Sequence, residues 1–352
     1  MDTMRREIML AFAATALTGT LAGCATGTRT TTRALTSQWR SFRAGDGAEI
    51  FYRYWPGPDY RLRVIPTTPR AVIQIVHGAA EHSGRYDRFA KALVDSFGNA
   101  LVNKGYAVYA TDHRGHGRTR VRLGQLGDAG PNAWNRFVED EEQLSQIIRT
   151  AHANAKLVLF GHSLGSFIAQ DYMTQRPELL DAVVLSGTAY GPPPPKQLLD
   201  ALEAAVKTAP LGPSEFWANL FKGFNRPFSD QPGFDWLSRD PVEVMKYVQD
   251  PQAGFAFTNE LVRDIFQGFV AMRDPAREAR IPKDLPVLVI QGTLDPVGAN
   301  LTTTQALLDR YQALGVYRVS HKFYEGARHE LLNETNRDEV HFDVLYWLRP
   351  VR

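Results

Sequence analysis

The sequence predicts an α/β fold: a mostly parallel central sheet with helices on both faces and a helical insertion. Three observations predict it. Short apolar runs alternate with segments of helical periodicity, the pattern of βαβ units. One run, Leu157-Val158-Leu159-Phe160, leads into Gly161-His162-Ser163-Leu164-Gly165, and a helix-compatible segment from Ser166 to Gln175 follows, stopping at Pro177. Strand, sharp turn and helix is the context that gives a G-x-S-x-G sequence its meaning. A long stretch, 189–282, then interrupts the alternation before two further strands.

The elements follow in order. Trp39 to Trp55 reads as an antiparallel pair around the turn Gly45-Asp46-Gly47. Ala71 to Val76 is a buried-strand run. Tyr86 to Lys104 has helical periodicity and ends at Gly105, and Ala107 to Thr111 is the next strand. Ala133 to His152 is a helix with Asn132 as its candidate N-cap and with Glu139, Asp140, Glu141 and Glu142 mostly on its wet side. Ala182 to Ser186 follows the elbow helix as a strand. Val287 to Gln291 and Tyr317 to Tyr324 are the late strands, separated by a helix from Leu301 to Leu314. Asp338 to Leu348 closes the chain as an amphipathic helix. Crossovers in such a sheet are right-handed, and ligands bind beyond the carboxyl ends of the strands.

The insertion opens with Gly191 and Pro192 to Pro195. It continues as helical pieces rich in aromatics, among them Phe216, Trp217, Phe221, Phe224, Trp236, Phe255 and Phe269. A segment this long between two strands is a subdomain rather than a loop. Most of its aromatics build its own core, and a minority line an apolar pocket facing the serine.

With 352 residues, the chain suffices for one large α/β domain with an insertion, or for two domains. The formal net charge of +2 offers no electrostatic footprint for nucleic acid. Cys24 is the only cysteine, which excludes an intrachain disulfide and a zinc–cysteine site. Arg5 and Arg6 precede an apolar stretch from Ile8 to Leu21 that is short for a membrane span and suits a secretory signal. Leu21-Ala22-Gly23-Cys24 resembles the bacterial lipoprotein lipobox, which implies cleavage before Cys24 and acylation of that cysteine. Several acyl chains, at about 0.8 kcal/mol per buried CH₂, hold a protein on a bilayer stably. Ala25 rather than aspartate after Cys24 points to the periplasmic face of the outer membrane. The expected organisation is a signal peptide over 1–23, a threonine-rich tether over 24–38, a core over 39–188 and 283–352, and a helical cap over 189–282.

A serine at neutral pH is a poor nucleophile and needs an adjacent base, itself oriented by a carboxylate. When the serine stands on a strand-to-helix elbow, the acid and then the histidine follow it along the chain. Asp295, in Gly292-Thr293-Leu294-Asp295-Pro296, lies just past the first late strand. His329, in Gly326-Ala327-Arg328-His329-Glu330, lies just past the second. His321 sits within a strand and His341 within the last helix. Asp284 precedes its strand and Asp309 lies within a helix. The candidate catalytic residues are therefore Ser163, Asp295 and His329. The oxyanion donors are the N–H of Leu164, next to the nucleophile, and the N–H of Ala79 in the early loop His77-Gly78-Ala79-Ala80-Glu81-His82. His77 and His82 lack the further ligands that zinc requires, so neither metal nor cofactor is expected.

These motifs, in order, carry a resemblance. His77 to Tyr86, Asp112-His113-Arg114-Gly115-His116-Gly117, Gly161 to Gly165, Gly292 to Asp295 and Tyr324 to His329 resemble the monoacylglycerol lipase and lysophospholipase group of α/β-hydrolases, sometimes grouped with the serine aminopeptidases. The likeness runs from Trp39 to the C-terminus and is loosest in the insertion. It implies the α/β-hydrolase fold, a mobile lid, and ester hydrolysis with a preference for monoacyl lipids. The sequence departs from the group at Ala80 and Ser166, where glycine is common, at Arg118-Thr119, where a serine is frequent, and at Pro296 directly after the acid. Two other readings follow from the same residues. A related aminopeptidase would need an acidic group for the substrate amine, for which Glu81 is the candidate. An envelope lipoprotein could keep the fold and only bind. Haloalkane dehalogenases and epoxide hydrolases carry aspartate where Ser163 stands.

Overall fold

A computed structural model describes residues 36–56, 69–95, 105–122, 124–228 and 233–351. The expected signal peptide, Cys24 and nearly all of the expected tether lie outside the described residues. The tether boundary is corrected at its far end: Gln38 already pairs with Tyr54 in the first strand.

Among the described residues, eight strands form one sheet in the order β1-β2-β4-β3-β5-β6-β7-β8. They are β1 Gln38–Arg43, β2 Glu49–Trp55, β3 Ala71–Val76, β4 Ala107–Thr111, β5 Lys156–His162, β6 Ala182–Ser186, β7 Val287–Gly292 and β8 Val319–Tyr324. β1 and β2 form the expected hairpin, and β2 joins β4 antiparallel. From β4 to β8 every neighbour is parallel. The central strands are buried along their whole length, so their sequences read as continuous apolar runs rather than alternating ones.

The helices are α1 Asp87–Asp95, α2 Ala133–Ala151, α3 Leu164–Gln175, α4 Lys196–Thr208, α5 Glu215–Asn225, α6 Pro241–Gln249, α7 Asn259–Ala271, α8 Pro275–Glu278, α9 Thr302–Ala313 and α10 Arg337–Leu348. Alternate residues of each strand go to opposite faces. Leu157 and Leu159 of β5 join a core with Phe137 of α2 and Ile168 of α3. Phe160 turns the other way and meets Phe89 of α1, ring centroids 5.1 Å apart, and Phe89 in turn meets His341 of α10 at 5.1 Å. Truncating such a core side chain to alanine costs about 2–5 kcal/mol. In α10, Val340, Val344 and Leu348 recur every four residues and form the buried stripe.

Two expectations about α2 need correction. Asn132 has left-handed backbone angles, φ 59° and ψ 35°, and its side chain caps nothing. The α2 terminus is satisfied from the insertion instead: Ala133 N–H donates to Asp264 Oδ2 of α7 at 2.7 Å. Asp140 and Glu141 are buried rather than solvated. Glu141 lies one helical turn after Phe137 and so shares its inward face. Of the helix expected from Tyr86 to Lys104, α1 and a preceding 3₁₀ turn, Ser83–Tyr86, fall within the described residues, and 96–104 lie outside them.

Between β6 and β7 the chain forms α4 to α8. Phe216, Trp217, Phe255, Phe257, Phe266 and Phe269 pack into the main core from this segment. Trp236, Leu237 and Tyr247 form a smaller cluster with Phe221 and Phe224.

Candidate active site

Ser163 stands between the end of β5 and the first residue of α3. Its backbone has φ 52° and ψ −121°, a conformation that costs of order 1–3 kcal/mol outside glycine. Surrounding groups impose it. Ser163 N–H donates to Ser186 O on β6 at 2.9 Å, and Ser166 N–H returns to Ser163 O at 2.8 Å. The two flanking glycines are demanded by close approach: a side chain at Gly165 would overlap the Val76 carbonyl, and one at Gly161 would overlap Gly165 O. Ser166, where glycine is common in the group, has its own use here. Its Oγ donates to Ser163 O at 2.6 Å and ties the turn closed.

The structure brings Asp295 and His329 together. Both are buried, and His329 Nδ1 lies 2.8 Å from Asp295 Oδ2. Asp295 also accepts from Gln291 Nε2 at 2.5 Å and from Val297 N–H at 2.9 Å. A carboxylate only accepts, so the ring proton sits on Nδ1 and leaves the Nε2 lone pair free. Nε2 is buried and bonded to nothing among the described residues. His329 lines a cavity with Ser163, Gly78, Ala79, Phe221, Trp236 and Tyr247. The Ser163 hydroxyl makes no hydrogen bond to Nε2. The His329 ring packs on Trp236, centroid 4.9 Å away, and on His162, 4.8 Å away.

The N–H groups of Ala79 and Leu164 have no acceptor among the described residues. Leu164 N–H is free because it is the first residue of α3. Ala79 N–H is free because its peptide plane is held from the other side. The Nδ1–H of His77 donates to Gly78 O at 2.8 Å, while His77 Nε2 accepts from His113 N–H at 3.0 Å. His113 Nε2–H donates back to His77 O at 3.0 Å. His116 Nε2 accepts from Ala80 N–H at 3.2 Å. Ala80 O accepts from Tyr247 O–H at 3.0 Å and from Gly254 N–H at 2.9 Å. Burial holds His77 well below the usual histidine range, and it pushes His113 to about 3 and His116 to about 4. All three rings are neutral, as their hydrogen bonds require.

A second cluster is ionic. Burial alone would raise the Glu330 carboxyl, but the Arg85 guanidinium, bonded to it at 2.6 and 2.7 Å, holds it at about 2. Arg85 also donates to Glu81 Oε2 at 2.7 Å. Glu81 Oε1 accepts from Gly78 N–H at 2.5 Å and from Tyr86 O–H at 2.7 Å. Its lone pairs are thus engaged in holding the loop. Sequence reasoning weighed Glu81 for a substrate amine and missed this use. The Asp112 motif is likewise a brace: Asp112 Oδ1 accepts from Ser83 N–H and Oγ–H, and Oδ2 from Arg118 N–H. His82 pairs with Asp250 of the insertion at 2.9 Å.

The roles of His113, His116, His162, Trp236 and Glu330 were not drawn from the sequence. The histidines were visible as part of two motifs, but the partners of His113 and His116 are backbone groups that no side-chain pattern announces, and His162 meets Ser186 and His329 only in space. Trp236 lay unmarked among the aromatics of the insertion.

Comparison with known proteins places this geometry. The family described as serine aminopeptidase, S33, matches residues 67–336. A monoacylglycerol lipase of Mycolicibacterium smegmatis is 32% identical over 315 residues, covering 88% of this chain and 95% of that protein. A solved lipase in an open form superposes with a TM-score of 0.77 at 30% identity, covering 90% of this chain and 99% of the other. A thermostable carboxyl esterase from Bacillus coagulans, solved with glycerol, superposes with a TM-score of 0.78 at 26% identity, over 90% and 98% of the two chains. With a family match across most of its length and a relative this similar, the chain belongs to the serine aminopeptidase S33 family of α/β-hydrolases, in its monoacylglycerol lipase group.

Proposed function

We propose that this protein is a serine hydrolase that cleaves carboxylic esters of monoacyl lipids, monoacylglycerol or lysophospholipid, through an acyl-enzyme. One observation carries the proposal: an imidazole anchored on Asp295 by one nitrogen presents a free lone pair to the cavity that holds Ser163. Ser163 attacks the ester carbonyl and His329 Nε2 takes its proton. Asp295 keeps the tautomer and favours the imidazolium. The N–H groups of Ala79 and Leu164 receive the oxyanion, each worth about 2.7–4 kcal/mol in the transition state. His329 then protonates the departing alcohol, and a water that it deprotonates releases the fatty acid. The named activities of the lipase and esterase relatives support the ester class. The peptidase reading loses its amine anchor, since Glu81 is committed to Arg85, Tyr86 and Gly78.

The 189–282 segment is read as a cap whose aromatics receive the acyl chain. Cleavage before Cys24 and acylation of its thiol would place the enzyme on the outer membrane, facing the periplasm, beside its substrate.

Ser163→Ala tests the chemistry. The expected loss in p-nitrophenyl ester and monoacylglycerol turnover is roughly a million-fold, the scale seen when a serine nucleophile is removed, together with loss of fluorophosphonate labelling. Near-normal turnover by the variant would end the proposal. The anchor is tested separately by Cys24→Ala in bacterial cells. The wild type should fractionate with the outer membrane and carry an acylated N-terminus by mass spectrometry, and the variant should do neither. An unmodified wild-type chain would remove the anchor and leave the chemistry untouched.

A further inference from the structure

Trp236 sits in the insertion, far from every motif, yet it is one of two rings that hold His329. Its centroid lies 4.9 Å from that of the imidazole, with the planes 34° apart. It is 3% exposed. An indole face within about 6 Å of a cation attracts it through the ring quadrupole, and the attraction grows when water is excluded. His329 gains a positive charge when it takes the Ser163 proton on Nε2. The contact is therefore stronger in the transition state than in the ground state, the condition for raising kcat rather than lowering KM.

Trp236 is also kept with His329 by its backbone. His329 N–H donates to Trp236 O at 3.3 Å, and Glu330 N–H donates to Leu237 O at 2.7 Å. The Arg328 guanidinium donates to Asp235 O at 2.6 Å and to Ser238 O at 3.1 Å. Arg239 donates to Glu334 through its N–H at 3.1 Å and its Nε at 2.9 Å. This short piece of the insertion is laced to the histidine loop. Its outer side packs on Phe221 at 5.4 Å and Phe224 at 5.1 Å, both on α5.

We propose that Trp236 is a positioning residue for the hydrolysis: its indole face orients the His329 ring and stabilises the imidazolium that forms during acyl transfer. Through Phe221 and Phe224 it also links the seat of the insertion to that base. The inference rests on the proposed role of His329. Asp295 and His162 touch the His329 ring, and Glu81 and Glu330, both paired with Arg85, line the same cavity, so Trp236 acts on a background they set.

The test compares Trp236→Phe with Trp236→Leu, using p-nitrophenyl butyrate. Phenylalanine keeps an aromatic face, so kcat should fall less than about threefold. Leucine removes the quadrupole, so kcat should fall about tenfold with KM within about twofold, and the acid limb of kcat/KM should move to lower pH. Equal losses in the two variants, or an unmoved acid limb in Trp236→Leu, overturn the proposal. A second measurement covers the case where the leucine variant does not fold. The fluorescence difference between wild type and Trp236→Phe should be quenched as pH falls, with the midpoint of the acid limb, and a difference independent of pH overturns it. Run in the Ser163→Ala background, the fluorescence arm needs no catalysis. Its failure there, with Ser163→Ala inactive, strikes Trp236 alone, whereas an active Ser163→Ala strikes the hydrolytic reading itself.

Discussion

Two buried polar clusters hold the loop 77–82, one made of His77, His113 and His116 and the other of Glu81, Arg85 and Glu330. Both lie largely out of water, yet the first is neutral and the second holds Glu330 as an ion against Arg85. The histidines bond to backbone groups and have no ionised partner in contact, the one nearby carboxyl, Glu141, being itself pushed up by burial, so burial removes their protons. Glu330 faces a guanidinium that cannot release its proton, so it keeps its charge, and Glu81 pairs with the same guanidinium. Desolvation is common to both. The counter-charge decides the outcome. Neutral rings can accept and donate in fixed tautomers, which suits them to orienting peptide planes. The ion triad suits a different task, bracing one loop against another, because Arg85 spans from Glu81 to the residue after His329.

The comparison is broken most forcefully at its only cation. Arg85→Met leaves two carboxyl groups buried without a counter-charge and should cost about 3–5 kcal/mol in urea unfolding at pH 7. Arg85→Met combined with Glu330→Gln should recover a large part of that. A single variant within about 1 kcal/mol of wild type would mean that the carboxylates are not held as ions.

A smaller effect sharpens the neutral side. Glu141 is buried against this cluster, accepting from Gln74 Nε2 at 2.7 Å and from Thr111 Oγ1. Burial raises its carboxyl from 4.5 to about 7. His113 Nδ1, the acceptor nitrogen of its ring, lies 3.5 Å from Glu141 Oε1, which also favours a protonated acid. The folded chain binds this proton more tightly than the unfolded one. The contribution to stability is therefore full below about pH 4.5 and is lost as pH rises through about 7. Glu141→Gln carries no such proton, so its stability relative to wild type should increase by about 2 kcal/mol between pH 5 and pH 8. Unfolding midpoints of both proteins across that range check it; a difference that is flat or falls with pH would show that Glu141 is ionised when folded.

Much of this arrangement was legible along the chain. The strands were readable because buried parallel strands are short apolar runs bounded by breakers. The elbow, Asp295 and His329 were readable because a strand-end site puts its functional groups just past apolar runs, in a fixed order. The misreadings have a common cause. Asn132 looked like a cap because its neighbours in sequence allow it, while the partner that caps α2, Asp264, is more than a hundred residues away. Glu141 looked solvated among three other acids, since its burial depends on Gln74 and Thr111 from two strands.

The sequence by itself determined the alternation of elements, the strained serine between two glycines, and the identity of the groups that can exchange a proton. These are local matters: periodicity, backbone permissiveness and the chemistry of single side chains. Tertiary structure alone decided which imidazole nitrogen is free, which histidines are neutral, which carboxylates stay charged, and that an indole from the insertion covers His329. Those outcomes turn on desolvation and on partners within about 5 Å in space, and neither quantity exists until distant segments have packed.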